Sequence, residues 1–136
     1  MAQPLDYMGL GENPQLAARY AFTPVLATAY GTSSGSAHQI VGSQYFTIAN
    51  SGTSSFKLPL VNSDTGALLG DRYIVGNLTS ASVAVYAANN ANGSVVTLYT
   101  TGASTAGTTG VSVGVGSLVE FIPVTVSTWV VAYGSA

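Results

Sequence analysis

The chain has 136 residues and no cysteine, which suits a single domain and excludes disulfides and thiolate metal sites. Its cations number three, Arg19, Lys57 and Arg72, too few to neutralise a nucleic-acid backbone, and its net charge of −2 steers no charged ligand. Only 6% of residues are charged, against about 25% in an ordinary soluble domain, so the surface repels its neighbours weakly and points to burial against other subunits.

Residues 1–37 read as an N-terminal arm. The start, Met1-Ala2-Gln3-Pro4-Leu5-Asp6, has no basic stretch followed by an apolar run, so no targeting signal is expected. Pro4, Gly9, Gly11 and Pro14 oppose regular structure, Asn13 to Tyr20 suits at most one or two helical turns, and Pro24 ends them. The segment still carries Leu5, Tyr7, Met8, Leu10, Leu16, Tyr20 and Phe22, too apolar for a solvated tail. These seven residues are the candidate partner-binding residues of an extended arm that lies on its own domain or on a neighbour. Gly31-Thr32-Ser33-Ser34-Gly35-Ser36 is polar punctuation, and the arm–domain boundary is expected near it.

Residues 38–136 read as short strands separated by turns. Gln39 to Ala49 suggests one strand, apolar on both faces, ended by a turn at Asn50-Ser51-Gly52-Thr53. Ser55 to Pro59 suggests a short strand, its proline favouring an edge. After a turn at Asn62 to Gly66, strands are expected at Arg72 to Asn77 and Ser82 to Ala87. Asn92-Gly93 is a hairpin signal, making Val95 to Thr100 the expected partner of the strand before it. Thr101 to Gly110 reads as a low-complexity loop. Val111 to Val115, Leu118 to Pro123, Val124 to Ser127 and Thr128 to Tyr133 complete the set. The last of these regions is long and apolar, but Glu120, Pro123 and its alternation argue for strands rather than a spanning helix, so no membrane partner is expected. Seven to nine strands at roughly ten-residue spacing predict an all-β fold, a single jelly-roll-like β-sandwich or a small barrel with an extended N-terminal arm. A sheet with few charges on its edges attracts further strands, which again points to edges covered by the arm or by another subunit.

The runs Phe56-Lys57-Leu58-Pro59, Gly70 to Asn77 and Ser82-Val83-Ala84-Val85-Tyr86, closed by Phe121 and Trp129, resemble a pattern in small bacteriophage virion structural proteins. The likeness covers roughly residues 40 to 134. Tyr86 continues into Ala87-Ala88-Asn89-Asn90, where that pattern often has Tyr-Pro-x-x-Gly. The resemblance implies a β-sandwich of the capsid decoration (cement) or head-fibre type on the virion surface, made in the host cytoplasm. Its implied partners are the major capsid protein and further copies of itself, as a trimer, with the arm docking on neighbouring capsomers. The alternative it implies is a tail-fibre or receptor-binding module that recognises host glycans.

Chemistry has few candidates. Gly31-Thr32-Ser33-Ser34-Gly35 matches Gly-x-Ser-x-Gly, but a nucleophile elbow needs a helix after it and a histidine well downstream; the only histidine is His38. The match reads as a linker and His38 as a turn or packing residue. Asp64 and Asp71 flank a Gly-containing loop without the oxygen spacing of a calcium loop and read as turn aspartates. Glu120 sits in an apolar strand, either facing outward or paired with Arg72, Lys57 or a neighbouring subunit. With so few ionisable groups, no catalytic residue, cofactor or metal is expected.

Overall fold

A computed structural model describes residues 24–52, 55–62, 66–90 and 92–133. Among them lie eleven strands and no helix. The strands are Val25–Ala29 (β1), His38–Gln39 (β2), Phe46–Gly52 (β3), Ser55–Leu58 (β4), Tyr73–Asn77 (β5), Val83–Ala87 (β6), Thr97–Thr100 (β7), Ala103–Ala106 (β8), Val111–Val113 (β9), Leu118–Thr125 (β10) and Thr128–Tyr133 (β11).

Alternate strands go to opposite sheets. β1, β3 and β5 stack in parallel in one sheet, and β2, β4 and β6 stack in parallel in the other. Parallel neighbours require a crossover connection. Here each crossover carries a strand of the opposite sheet instead of a helix, so the chain winds three times between two layers. The second half closes this stack. β9 pairs antiparallel with β6, β10 pairs antiparallel with β5 and turns back into β11, and the β7–β8 hairpin adds to β11. The larger sheet runs β1-β3-β5-β10-β11-β7-β8 and the smaller β2-β4-β6-β9. The all-β expectation holds, in two sheets as a sandwich requires. A jelly roll is built from antiparallel strands, whereas five pairings here are parallel.

The two inner faces share one core. Tyr73, Val75, Leu98, Val119, Phe121, Trp129 and Val131 from the larger sheet meet Phe56, Leu58, Val83, Val85, Val111 and Val113 from the smaller. Every strand except β2 and β8 contributes to it, most through two-residue alternation, as β6 does with Val83, Val85 and Ala87 inward. Tyr45, Tyr73 and Trp129 form a chain of rings with centroids 5.1 and 5.7 Å apart. The Tyr73 hydroxyl donates to the Gly42 carbonyl at 2.7 Å, which satisfies the polar end of a buried ring.

Asn77 ties the layers together. It ends β5 in the larger sheet and is 1% exposed. Its Nδ2 donates to the Val113 carbonyl of β9, in the smaller sheet, at 3.0 Å and to the Ala81 carbonyl at 2.7 Å. Its Oδ1 accepts from the Thr79 backbone N–H at 2.8 Å. The side chain therefore closes the loop between β5 and β6 and bridges the two sheets.

Several local expectations change once the sheets are assembled. The single strand expected over Gln39 to Ala49 is two, β2 and β3, in different sheets. A turn separates them, in which the Gln44 N–H donates to the Val41 carbonyl and the Val41 N–H to Gln44 Oε1. The apparent apolarity of both faces came from this change of sheet. Asn50 to Gly52 continue β3 instead of turning. β4 is an interior strand, and Pro59 lies just past its last pairing, Leu58 with Ala87, where no ladder N–H is needed. Val124 and Thr125 extend β10. Pro123 is tolerated in that interior strand because pairing with β5 ends at Phe121.

The Asn-Gly signal marks a turn but no hairpin between β6 and β7. Both edges of β6 are occupied, by β4 and β9, so the chain moves to the other sheet. Asn90 organises that passage: its Oδ1 accepts from the Asn92 and Ser94 N–H groups, and its Nδ2 donates to Ser127 Oγ at 2.8 Å. The expected loop at Thr101 to Gly110 contains β8, paired to β7 through a two-residue turn. An edge strand needs backbone pairing on one side only, which Ala, Ser and Thr supply.

Candidate interaction surface

The seven candidate arm residues, Leu5, Tyr7, Met8, Leu10, Leu16, Tyr20 and Phe22, lie outside the described residues. The later part of the segment read as an arm, Val25–Ala29, is β1 and pairs with β3.

Asp64 lies outside the described residues, and the other residues tested for chemistry are dispersed into structural roles. Ser33 lies in a tight turn, its carbonyl accepting from the Ser36 and Ala37 N–H groups. His38 stands between Tyr30 and Phe56, with ring centroids 5.1 and 5.4 Å away. Its Nδ1 is buried without a hydrogen-bond partner. Asp71 is buried, and its Oδ2 accepts from the Leu68 N–H at 3.0 Å, as a turn aspartate does. Among the described residues no three His, Asp or Glu side chains cluster as metal ligands, and no helix is long and apolar enough to cross a membrane.

The outer faces of the two sheets differ in kind. On the smaller sheet, residues facing away from the core include Gln39, Lys57, Tyr86 and Ser112, an ordinary polar exterior. On the larger sheet the register aligns Leu26, Ile48, Gly76 and Leu118 in one row across β1, β3, β5 and β10. A second row runs Phe46, Ile74, Glu120 and Ala132. A third runs Ile122, Val130, Tyr99 and Ser104 across β10, β11, β7 and β8. Gly76 allows the first row to close up: a Cβ there would sit 2.6 Å from both Ile48 Cδ1 and Leu118 Cδ2.

This face is apolar, and it is open at Leu26 on one side and along β10, β11 and β7 on the other, with the buried Ile48 and Gly76 between them. Leu26 is 63% exposed, Tyr99 48%, Leu118 46% and Val130 40%. Fully burying one large apolar side chain stabilises by about 2 kcal/mol, so covering these four would contribute roughly 4 kcal/mol. An antiparallel sheet with one wet face normally places polar residues there, and parallel strands are normally covered on both faces. On the outer side of the parallel strands β1, β3 and β5, Leu26 is exposed, Phe46 and Ile74 are half-buried, and Ile48 and Gly76 are buried. Among the described residues the charge on this face is confined to one ion pair. Arg72 Nη1 donates to Glu120 Oε1 at 2.9 Å, with the two side chains 68% and 26% exposed. Glu120 thus faces outward and is paired, and it lies on β10, the middle strand of seven.

Sequence reasoning singled out Glu120 and Arg72 but missed the face itself. Its rows draw on all seven strands, and only the register between them puts Leu26, Leu118, Val130 and Tyr99 on one side. The outward Ile74, Ile122 and Val130, alternating with buried Val75, Phe121 and Val131, were the available signal. Comparison with protein-family models, curated proteins and solved structures finds no match to this chain.

Proposed function

We propose that this protein is a non-enzymatic virion structural subunit, a capsid decoration protein that binds the major capsid protein at capsomer junctions and stabilises the head. The observation that carries the proposal is the open apolar face of the larger sheet on a chain with so few charges. Such a face favours being covered, and with almost no charge on it the attraction is apolar and insensitive to salt. The likeness of residues 40 to 134 to small phage structural proteins supports the same reading. In this proposal residues 1–23, with Leu5, Tyr7, Met8, Leu10, Leu16, Tyr20 and Phe22, anchor on the capsid, and the sandwich forms the body that meets other subunits.

The test is binding of the full chain, and of a form lacking residues 1–23, to phage heads stripped of decoration. The shortened form keeps β1 and every other described strand. Binding by the full chain, lost on shortening, supports the proposal. Equal binding by both forms removes the anchoring role of the N-terminal segment. Binding to host polysaccharide with no affinity for heads replaces the proposal with a tail-fibre module.

A further inference from the structure

The exposed part of this face carries one ion pair among apolar side chains, and that pair selects its partner. Resting on the reading of this chain as an assembly subunit, we propose that the outer face of the seven-stranded sheet binds the same face of a second copy, about a two-fold axis near the Arg72–Glu120 pair.

Two properties of the face lead to this partner. The first is charge. A guanidinium offers five N–H donors, and Arg72 directs one of them at Glu120. A foreign apolar surface laid over the pair would bury the remaining donors without acceptors, which is costly. A two-fold arrangement brings an identical pair to the same place, because residue i of one copy meets residue j of the other and the reverse. Arg72 of each copy then reaches Glu120 of the other, and two pairs close into a ring of four charges. Around that ring the surfaces are neutral and apolar on both sides, through Leu26, Leu118, Ile122, Val130 and Tyr99.

The second is size. Seven strands spaced about 4.8 Å apart, averaging five or six residues, give a face on the order of 500 Å². Two such faces bury on the order of 1,000 Å² in total, near the lower bound of a specific interface. Sheets packed face to face stand about 10 Å apart with interdigitating side chains, and Leu118, Val130 and Tyr99 project far enough to interdigitate. The pairing also covers Leu26, the exposed outward residue of the parallel strand β1.

The experiment measures the mass of the full chain by analytical ultracentrifugation from about 1 to 100 μM, a span that resolves dissociation constants in the micromolar range. The variants are Leu118→Asp, Val130→Asp, Arg72→Glu and the exchange Arg72→Glu with Glu120→Arg, each first shown to be folded by circular dichroism and thermal melting. The expected results are a dimer for the full chain, at least about tenfold weaker association for Leu118→Asp and Val130→Asp, weaker association for Arg72→Glu, and recovery in the exchange variant. Recovery distinguishes a charge ring from a merely greasy contact. A full chain that stays monomeric at the highest concentration overturns the proposal, as does a dimer untouched by the aspartate variants. A monomer that dimerises only after removal of residues 1–23 also overturns it, because the chain's own segment then covers the face. A dimer of this kind that fails to bind phage heads upholds the interface and removes only the virion reading.

Discussion

Replacing Asn77 with alanine should destabilise the protein by about 3 kcal/mol. The figure follows from what the side chain holds. It makes three hydrogen bonds to main-chain groups: donated to Ala81 and Val113 and accepted from Thr79. Each contributes about 1 kcal/mol net, and each abandoned buried partner carries a desolvation cost of about 1–3 kcal/mol unless water replaces the lost bond. Water can reach Ala81, which is exposed; the Val113 residue is fully buried. The Thr79 hydroxyl lies 2.7 Å from Asn77 Oδ1 and 2.8 Å from the Ala81 carbonyl, and its single proton serves one of them at a time. It can turn wholly to Ala81 when Asn77 is lost, which holds the loss near 3 kcal/mol instead of 4 or more. For a chain of this size the melting midpoint should fall by roughly 10–15 °C. Urea unfolding followed by the fluorescence of Trp129, the single tryptophan and 1% exposed, measures the change directly. Thr79→Val, which keeps the N–H bond, should cost about 1 kcal/mol, and the double variant should lose less than the two together. A loss below about 1 kcal/mol for Asn77→Ala, or strict additivity with Thr79→Val, would refute the bridging role assigned to Asn77.

Phe56→Ala removes a side chain with no exposure from the centre of the core and should cost about 3–5 kcal/mol in the same urea assay. Tyr73→Phe leaves the Gly42 carbonyl without its donor and should cost about 1–2 kcal/mol; no change would mean that water had replaced the hydroxyl. His38→Phe should be neutral or slightly stabilising, because it swaps a buried Nδ1 that has no partner for carbon between Tyr30 and Phe56. A loss above about 2 kcal/mol at that position would show that His38 makes a bond that matters. In the monomeric Leu118→Asp background, Arg72→Ala should change stability by less than about 1 kcal/mol, since the guanidinium is largely solvated; a larger loss would place the pair among the determinants of the fold.

The sequence by itself determined the fold class and the scarcity of ionisable groups. Valine, threonine and tyrosine in two-residue alternation, at Val83-Ala84-Val85-Tyr86 and Val111-Ser112-Val113, specify strands because they suit a pleated, half-buried surface whatever lies beside it. Tertiary structure alone decided which sheet each strand joined. Val41 to Gln44 switch the chain between sheets through one turn, and the edges of β6 are filled by β4 and β9, so the Asn-Gly turn passes to the other layer. It also decided which residues share the outer apolar face. Strand pairing is non-local, and alternation fixes which residues share a side of one strand but not which strands lie beside it. Leu26 and Leu118, ninety-two positions apart, become members of one outward row only through the registers of β3 and β5 between them.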